Sequence, residues 1–247
     1  MTILCYHSVD PTWRSPLAVT PAELDKQCGW LARRRNVIPL RDAVGRLDRT
    51  GRLPRGVAAL TFDDGFAELE EHALPVLTRH RLPATVFLVA QTLAPGGQQV
   101  DWVDTPREAP LRTLTLDQVR AMQDAGVEFE SHSWAHLDLT RLGFEACVRD
   151  LTDSRELLSD LLGRRVSMLA YPRGRHDAVV RRAAERAGYD HAFALPEQSE
   201  PASRYAVPRV GVHRGNRLVA VRVKSSRPYL PLRTGRTYPL ARRLLRR

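Results

Sequence analysis

Six short strand-like runs recur along the chain, at residues 2–6, 57–62, 84–90, 127–131, 166–171 and 191–195, separated by helical patterns. Continuous apolar runs of this length, bounded by turn residues, read as buried strands, and the amphipathic stretches between them as helices. That alternation predicts β/α units around a largely parallel sheet. Helix punctuation agrees. Thr20-Pro21-Ala22-Glu23 supplies a capping threonine, a first-turn proline and a glutamate at the reciprocal position, so a helix runs to about Arg35. Thr115-Leu116-Asp117-Gln118 opens another by the same logic, and Ala125-Gly126 closes it. Residues 91–114, with Pro95-Gly96-Gly97, lack periodicity and read as a loop over a cleft. A chain of 247 residues with 43% hydrophobic residues can bury a sizeable core and suits a single α/β barrel domain.

The chemistry collects where predicted strands end, which in barrel folds is the edge that carries active sites. Val57-Ala58-Ala59-Leu60 leads into Thr61-Phe62-Asp63-Asp64-Gly65, two adjacent carboxylates at a strand end. Adjacent like charges repel, so the pair points to a cation or a proton-transfer task, against the plainer reading of an Asp-Gly turn. After the run at 127–129 comes Glu130-Ser131-His132-Ser133-Trp134-Ala135-His136. Four residues are about one helical turn, so both imidazoles can face one point in space. Two neutral imidazoles and one carboxylate make a three-ligand site for zinc or a similar divalent ion, with a position left for water.

Thr61-Phe62-Asp63-Asp64-Gly65 followed by His132-Ser133-x-x-His136 resembles the polysaccharide deacetylase family, carbohydrate esterase family 4, also called the chitooligosaccharide deacetylase homology domain. Leu82-Pro83-Ala84-Thr85-Val86-Phe87-Leu88 and Ala170-Tyr171-Pro172-Arg173-Gly174 follow in the family's order. The resemblance implies a distorted (β/α) barrel with fewer than eight strands. It also implies roles: Asp63 as general base, and Asp64, His132 and His136 as ligands of a divalent ion, Zn2+ first and Co2+ or Ni2+ next. The Tyr171 backbone N–H would stabilise the oxyanion. Many members take their acid histidine from a C-terminal segment, for which Val210-Gly211-Val212-His213-Arg214 is the candidate here. The opening Ile3-Leu4-Cys5-Tyr6-His7 resembles instead the permuted branch that includes poly-N-acetylglucosamine deacetylases, where the first strand supplies the acid, and His7 is the expected one. The segment before Tyr171 lacks the arginine that orients the base in relatives; Pro208-Arg209-Val210 resembles a segment that supplies it, so Arg209 is expected to pair with Asp63. His72, His80, His176 and His191 read as structural or solvated. Trp102 and Trp134 read as loop anchor or core, or as cleft wall.

Charge is uneven. Residues 201–247 carry 13 Arg/Lys and no Asp/Glu, so the first 200 hold 25 basic and 28 acidic groups, a net of −3 against +10 for the whole. A catalytic domain over 1–220 and a basic tail over 221–247 are therefore expected, the tail drawn to anionic membrane surfaces or an acidic partner, or merely solubilising. It is too short and charged to span a bilayer, and no groove-reading motif calls for nucleic acid. The three cysteines, Cys5, Cys28 and Cys147, have no metal-type spacing and read as reduced. Met1-Thr2 leads straight into the first strand without a secretory signal, which predicts a cytoplasmic protein, membrane-associated if the tail binds lipid. The expected function is a metal-dependent N-deacetylase acting on an N-acetylated sugar. An O-acetyl esterase and a non-catalytic carbohydrate-binding module are the alternatives. An intact Asp63 argues against the module, since binding needs no base.

Overall fold

The computed structural model describes residues 2–50, 56–103, 105, 110–196, 202–226 and 228–234. Its strands are β1 Thr2–Tyr6, β2 Ser8–Val9, β3 Ala18–Val19, β4 Asn36–Val37, β5 Val57–Phe62, β6 Ala84–Leu88, β7 Glu128–Ser131, β8 Met168–Ala170, β9 His191–Ala194, β10 Val207–Pro208 and β11 Val210–Gly211. The helices are α1 Pro21–Arg34, α2 Leu40–Thr50, α3 Leu74–His80, α4 Leu116–Asp124, α5 Phe144–Leu162, α6 Ala178–Arg186, α7 Leu218–Lys224 and α8 Tyr229–Thr234. Both capping boxes form: the Thr20 side chain accepts from the Glu23 N–H while Glu23 accepts from the Thr20 N–H, and Thr115 and Gln118 do the same for α4. Each such cap contributes about 1 kcal/mol to holding a helix start in place.

The strands pair in parallel in the order β10-β9-β8-β7-β6-β5-β1-β11, with β4 added beside β5. β10 and β11 are two ends of one extended stretch. Val207 and Pro208 pair with β9, Val210 and Gly211 pair with β1, and Arg209 lies between. The Arg209 N–H donates to the Ala194 carbonyl and the Val212 N–H to the Cys5 carbonyl, so the stretch stitches both edges together. Counted as one strand, it gives the distorted (β/α) barrel seven members, within the expectation of fewer than eight.

Strand alternation divides the core in two. Ile3, Ala59, Phe87, Met168, Ala170, Phe193 and Val207 point inward, and Leu40, Val44 and Leu47 of α2 join them. Their alternates, among them Leu4, Leu60, Val86, Phe129, Leu169 and Tyr171, point outward into the helix layer. α2 thus stoppers the interior, leaving the other end for polar groups. The boundary expected after residue 220 falls inside α7. Val221 is fully buried, and Tyr229 and Leu230 of α8 pack against the same core, so the described part of the basic segment is barrel cladding. Residues 235–247 of that expected tail lie outside the described residues. Among the described residues no helix is long and apolar enough to cross a membrane.

Candidate active site

Every motif residue sits at the carboxyl ends of the strands. At the end of β5, Asp63 continues the inward face of Thr61, and its N–H donates to the Tyr6 carbonyl at 2.9 Å. Asp64 then turns left-handed (φ 69°), as does Gly65 (φ 64°). This conformation, which aspartate tolerates better than most residues, sends the two adjacent carboxylates apart. Asp63 faces Arg209, which donates to both its oxygens, Nη1 to Oδ1 at 2.6 Å and Nη2 to Oδ2 at 2.7 Å. Asp64 turns to the rim.

The two histidines meet it there by a route the spacing did not indicate. Residues 132–137 form no helix. Ser133 (φ 71°) and His136 (φ 55°) take left-handed conformations, and the Ser133 hydroxyl accepts the His136 N–H at 3.1 Å. This tight loop brings the imidazole centroids to 5.0 Å. His136 Nε2 lies 3.3 Å and His132 Nε2 3.7 Å from Asp64 Oδ1. Two donors bound to one metal at its usual distances of about 2.1 Å sit roughly 3–3.5 Å apart, so the donor set fits a divalent ion. His132 Nδ1 is 2.8 Å from the Ala170 carbonyl, which can only accept. The proton is therefore on Nδ1, and Nε2 offers its lone pair to the site.

The electrostatics match. Burial holds both imidazoles neutral, lowering His132 and taking His136 down to about 2. Burial, with the charge of Asp63 behind it, raises Asp64 to about 8. Burial would raise Asp63 too, but the Arg209 guanidinium more than reverses this and holds that carboxyl well below the usual range. Two neighbouring acids are thereby split into an ionised one and one that is ionised once a cation replaces its proton. His7, at the end of β1, completes the group: ligating atoms of Cys5, His7 and Asp63 all lie within 4.8 Å of one another. Burial lowers His7 to about 4.

A profile of polysaccharide deacetylases matches residues 50–192, more than half of the chain. The chain belongs to the polysaccharide deacetylase family. It is 26% identical over 220 residues to YxkH of Bacillus subtilis (strain 168), covering 87% of this chain and 72% of that one. Identity to the poly-beta-1,6-N-acetyl-D-glucosamine N-deacetylase of Staphylococcus epidermidis is 24% over 206 residues, 78% of this chain and 67% of the other. The fold superposes on the Streptococcus pyogenes deacetylase PplD with a TM-score of 0.77, at 22% identity over 92% and 98% of the two chains.

The family match spans Asp63, Asp64, His132, His136 and Tyr171, while His7, Arg209 and His213 lie outside it and stand on geometry. The oxyanion role expected of Tyr171 fails in the structure. The Tyr171 N–H is not free for an oxyanion, because it donates to the Phe193 carbonyl at 3.0 Å, and alternation turns its side chain outward, where the hydroxyl donates to the Tyr205 carbonyl. The free N–H in this turn is that of Arg173, which makes no hydrogen bond among the described residues. Arg173 is left-handed (φ 57°) ahead of an equally left-handed Gly174 (φ 69°). His213 lies just past β11 and its field reaches His7, but His7 is the histidine beside Asp63. His80 and His191 are tied to Asp25 and Asp48, as structural histidines should be.

Three contacts escaped the sequence reading. The Trp102 indole donates to Asp64 Oδ1 at 3.1 Å and stacks on His136, with centroids 5.0 Å apart. The Cys5 thiol, kept protonated by burial, lies 3.3 Å from Asp63 Oδ2. Arg173 reaches the same rim through the Trp102 carbonyl at 3.2 Å. Only the Cys5 contact had a signal in the sequence: Cys5 and His7 share the parity of the first strand's inward face, as Thr61 and Asp63 share that of β5.

Proposed function

We propose that this deacetylase is a divalent-metal-dependent hydrolase that removes the acetyl group from an N-acetylated sugar, leaving acetate and a free amine. The observation that carries the reading is the division of labour between Asp63, clamped by Arg209 and kept ionised, and the three donors of Asp64, His132 and His136 that converge beside it. Zn2+ suits two imidazoles and a carboxylate, with Co2+ or Ni2+ as alternatives. Such an ion supplies Lewis acidity, making water nucleophilic near neutral pH and polarising the acyl oxygen.

The side chains do the rest. Asp63 accepts a proton from the attacking water as the new C–O bond forms. Held beside Arg209, protonated Asp63 is a strong acid, so the proton does not stay. His7, neutral in the resting site, takes it up and delivers it to the nitrogen as the C–N bond breaks. An acetylated glucosamine polymer is favoured as substrate class by the name of the Staphylococcus epidermidis relative.

The test is acetate release from N-acetylglucosamine oligomers, β-1,4- and β-1,6-linked, before and after stripping with dipicolinate and reloading with zinc. Release that vanishes on stripping and returns with one equivalent of metal is expected. Equal release with and without metal, or none from any acetylated sugar, overturns the proposal.

A further inference from the structure

The metal donors and the base are complete without Arg173, yet its guanidinium stands at their edge. The turn that carries it cannot relax: a Cβ on Gly174 would meet the Leu195 Cβ at 2.4 Å and backbone nitrogen at 2.6 Å, so the left-handed pair at 173 and 174 is locked against the chain after β9. Arg173 Nη2 donates to the carbonyl of Trp102, the residue whose indole holds both Asp64 and His136. Arg173, Trp102 and His136 line one cleft of about 420 Å³. Two other arginines line it, Arg141 and Arg175, and both face the Asp138 carboxylate, at 3.7 and 3.2 Å. Arg173 is exposed and, among the described residues, has no carboxylate within 4 Å; its bond to Trp102 occupies one of five N–H donors.

A lone cation beside a cation site opposes metal binding. Its field reaches the metal donors, where it works against protonation of both Asp64 and His136. A guanidinium with free, forked donors matches a carboxylate or phosphate in bidentate fashion. We propose that Arg173 makes this enzyme selective for acylated sugars bearing an anionic oxyacid group, carboxylate or phosphate, next to the acetamide that is cleaved. This rests on the deacetylase reading above and adds the charge of the substrate to it.

The experiment compares penta-N-acetylchitopentaose with its 6-O-carboxymethyl derivative on wild type, Arg173→Gln and Arg173→Lys, all zinc-loaded. Glutamine keeps a planar amide that can donate to the Trp102 carbonyl, so the turn survives. Wild type should prefer the carboxymethylated oligomer by about tenfold in kcat/KM, the scale of one charge-assisted contact, through KM and less so at high salt. Arg173→Gln should lose that preference while its kcat/KM on the neutral oligomer stays within about twofold, and Arg173→Lys should keep part of it. No preference in wild type, or an equal fall in kcat on both oligomers for Arg173→Gln, overturns the proposal; the latter would make the side chain an oxyanion partner. Should neither oligomer release acetate, the deacetylase reading fails. Calorimetric titration of the two oligomers still decides Arg173: tighter binding of the carboxymethylated one that Gln abolishes supports it, and equal binding refutes it.

Discussion

The two ends of the barrel are built from the same strands and treat their polar groups and backbone differently, although Asp63 and Arg209 pair tightly at the carboxyl end too. At the amino ends of the strands the ions are paired. Arg165 meets Asp190 at 2.7 Å, Asp48 is shared between His191 and Arg204, and Arg41 faces Glu128. The buried Glu130 accepts from Arg164 and from the N–H groups of Ser167 and Met168. One Glu128 oxygen is the exception, without a partner among the described residues. At the carboxyl ends, His7 Nδ1, His136 Nδ1, His213 Nδ1 and Arg209 Nε are buried without partners among the described residues. Asp64, Ser133, His136 and Arg173 there hold left-handed backbones; the remaining non-glycine case among the described residues, Arg81, caps α3. Left-handed backbone costs about 1–2 kcal/mol per non-glycine residue, and the molecule accepts it almost entirely at one rim. Satisfied ions fasten the sheet at one end so that strained, unsatisfied groups can be held ready at the other.

The sharpest way to break that comparison is within the strained rim. Asp64→Ala should abolish stoichiometric zinc binding and reduce acetate release to background. Asp63→Asn should keep the zinc and lose about 10² to 10⁴ in rate, the scale of a general base. Metal analysis alongside the rate assay separates the two. Zinc retained by Asp64→Ala, or wild-type turnover by Asp63→Asn, would show that the adjacent acids do not divide the work as their geometry implies.

Crossing to the relaxed rim, Glu130→Ala strands two backbone N–H groups and Arg164 around a cavity. A loss of about 3 kcal/mol is expected, a fall in Tm of roughly 2–4 °C for each kcal/mol in a domain of this size. Turnover per folded molecule, measured well below Tm, should stay within about twofold. A variant that melts like wild type but turns over slowly would mean that the two ends are not separable.

The relaxed parts were the legible ones. β1 and β5 lie where the apolar runs place them, and α1 starts at its capping box. Local propensity and periodicity decide such elements, and both are written in neighbouring residues. The cluster of Asp64, His132 and His136 was legible for a different reason, since carboxylates and imidazoles at strand ends have few other uses. The loop around Ser133 was not, because a four-residue spacing suits a helical turn as well as a tight loop, and only left-handed serine and histidine backbones distinguish them. Tyr171 misled because a motif gives position and not which main-chain groups are free; its N–H extends the ladder between β8 and β9 by donating to the Phe193 carbonyl. The closing strand escaped because it is two residues on each side of Arg209, too short for periodicity, and its partners lie about 200 residues away in β1 and next door in β9. Arg209 itself was readable by resemblance, and its bidentate grip on Asp63 explains why the ring closes there.

The smallest effect is also the most specific to the strained rim. Asp64, pushed to about 8 in the metal-free protein, has an ordinary value of 3.8 when unfolded. Between those two values Asp64 alone holds a proton that the unfolded chain has released, a contribution to stability that is lost as pH rises from about 4 to 8, while His7, His132 and His136, all lowered from 6.5, act in the opposite sense below about 6.5. A bound cation takes that proton's place. His136, lowered to about 2, is already neutral across this window and releases nothing, and burial shifts His132 in the same direction. Asp63, held ionised by Arg209, releases nothing either. Zinc affinity should therefore rise about tenfold per pH unit between pH 6 and 7 and level off above about 8, with one proton released per ion. Competition against a chelator gives the slope, and calorimetry in two buffers of different ionisation enthalpy counts the proton. A flat profile would place Asp64 among ordinary ionised carboxylates and remove the electrostatic distinction between the two rims; a slope of two or more would mean that a histidine is charged before the metal arrives, and that burial does not hold the imidazoles neutral.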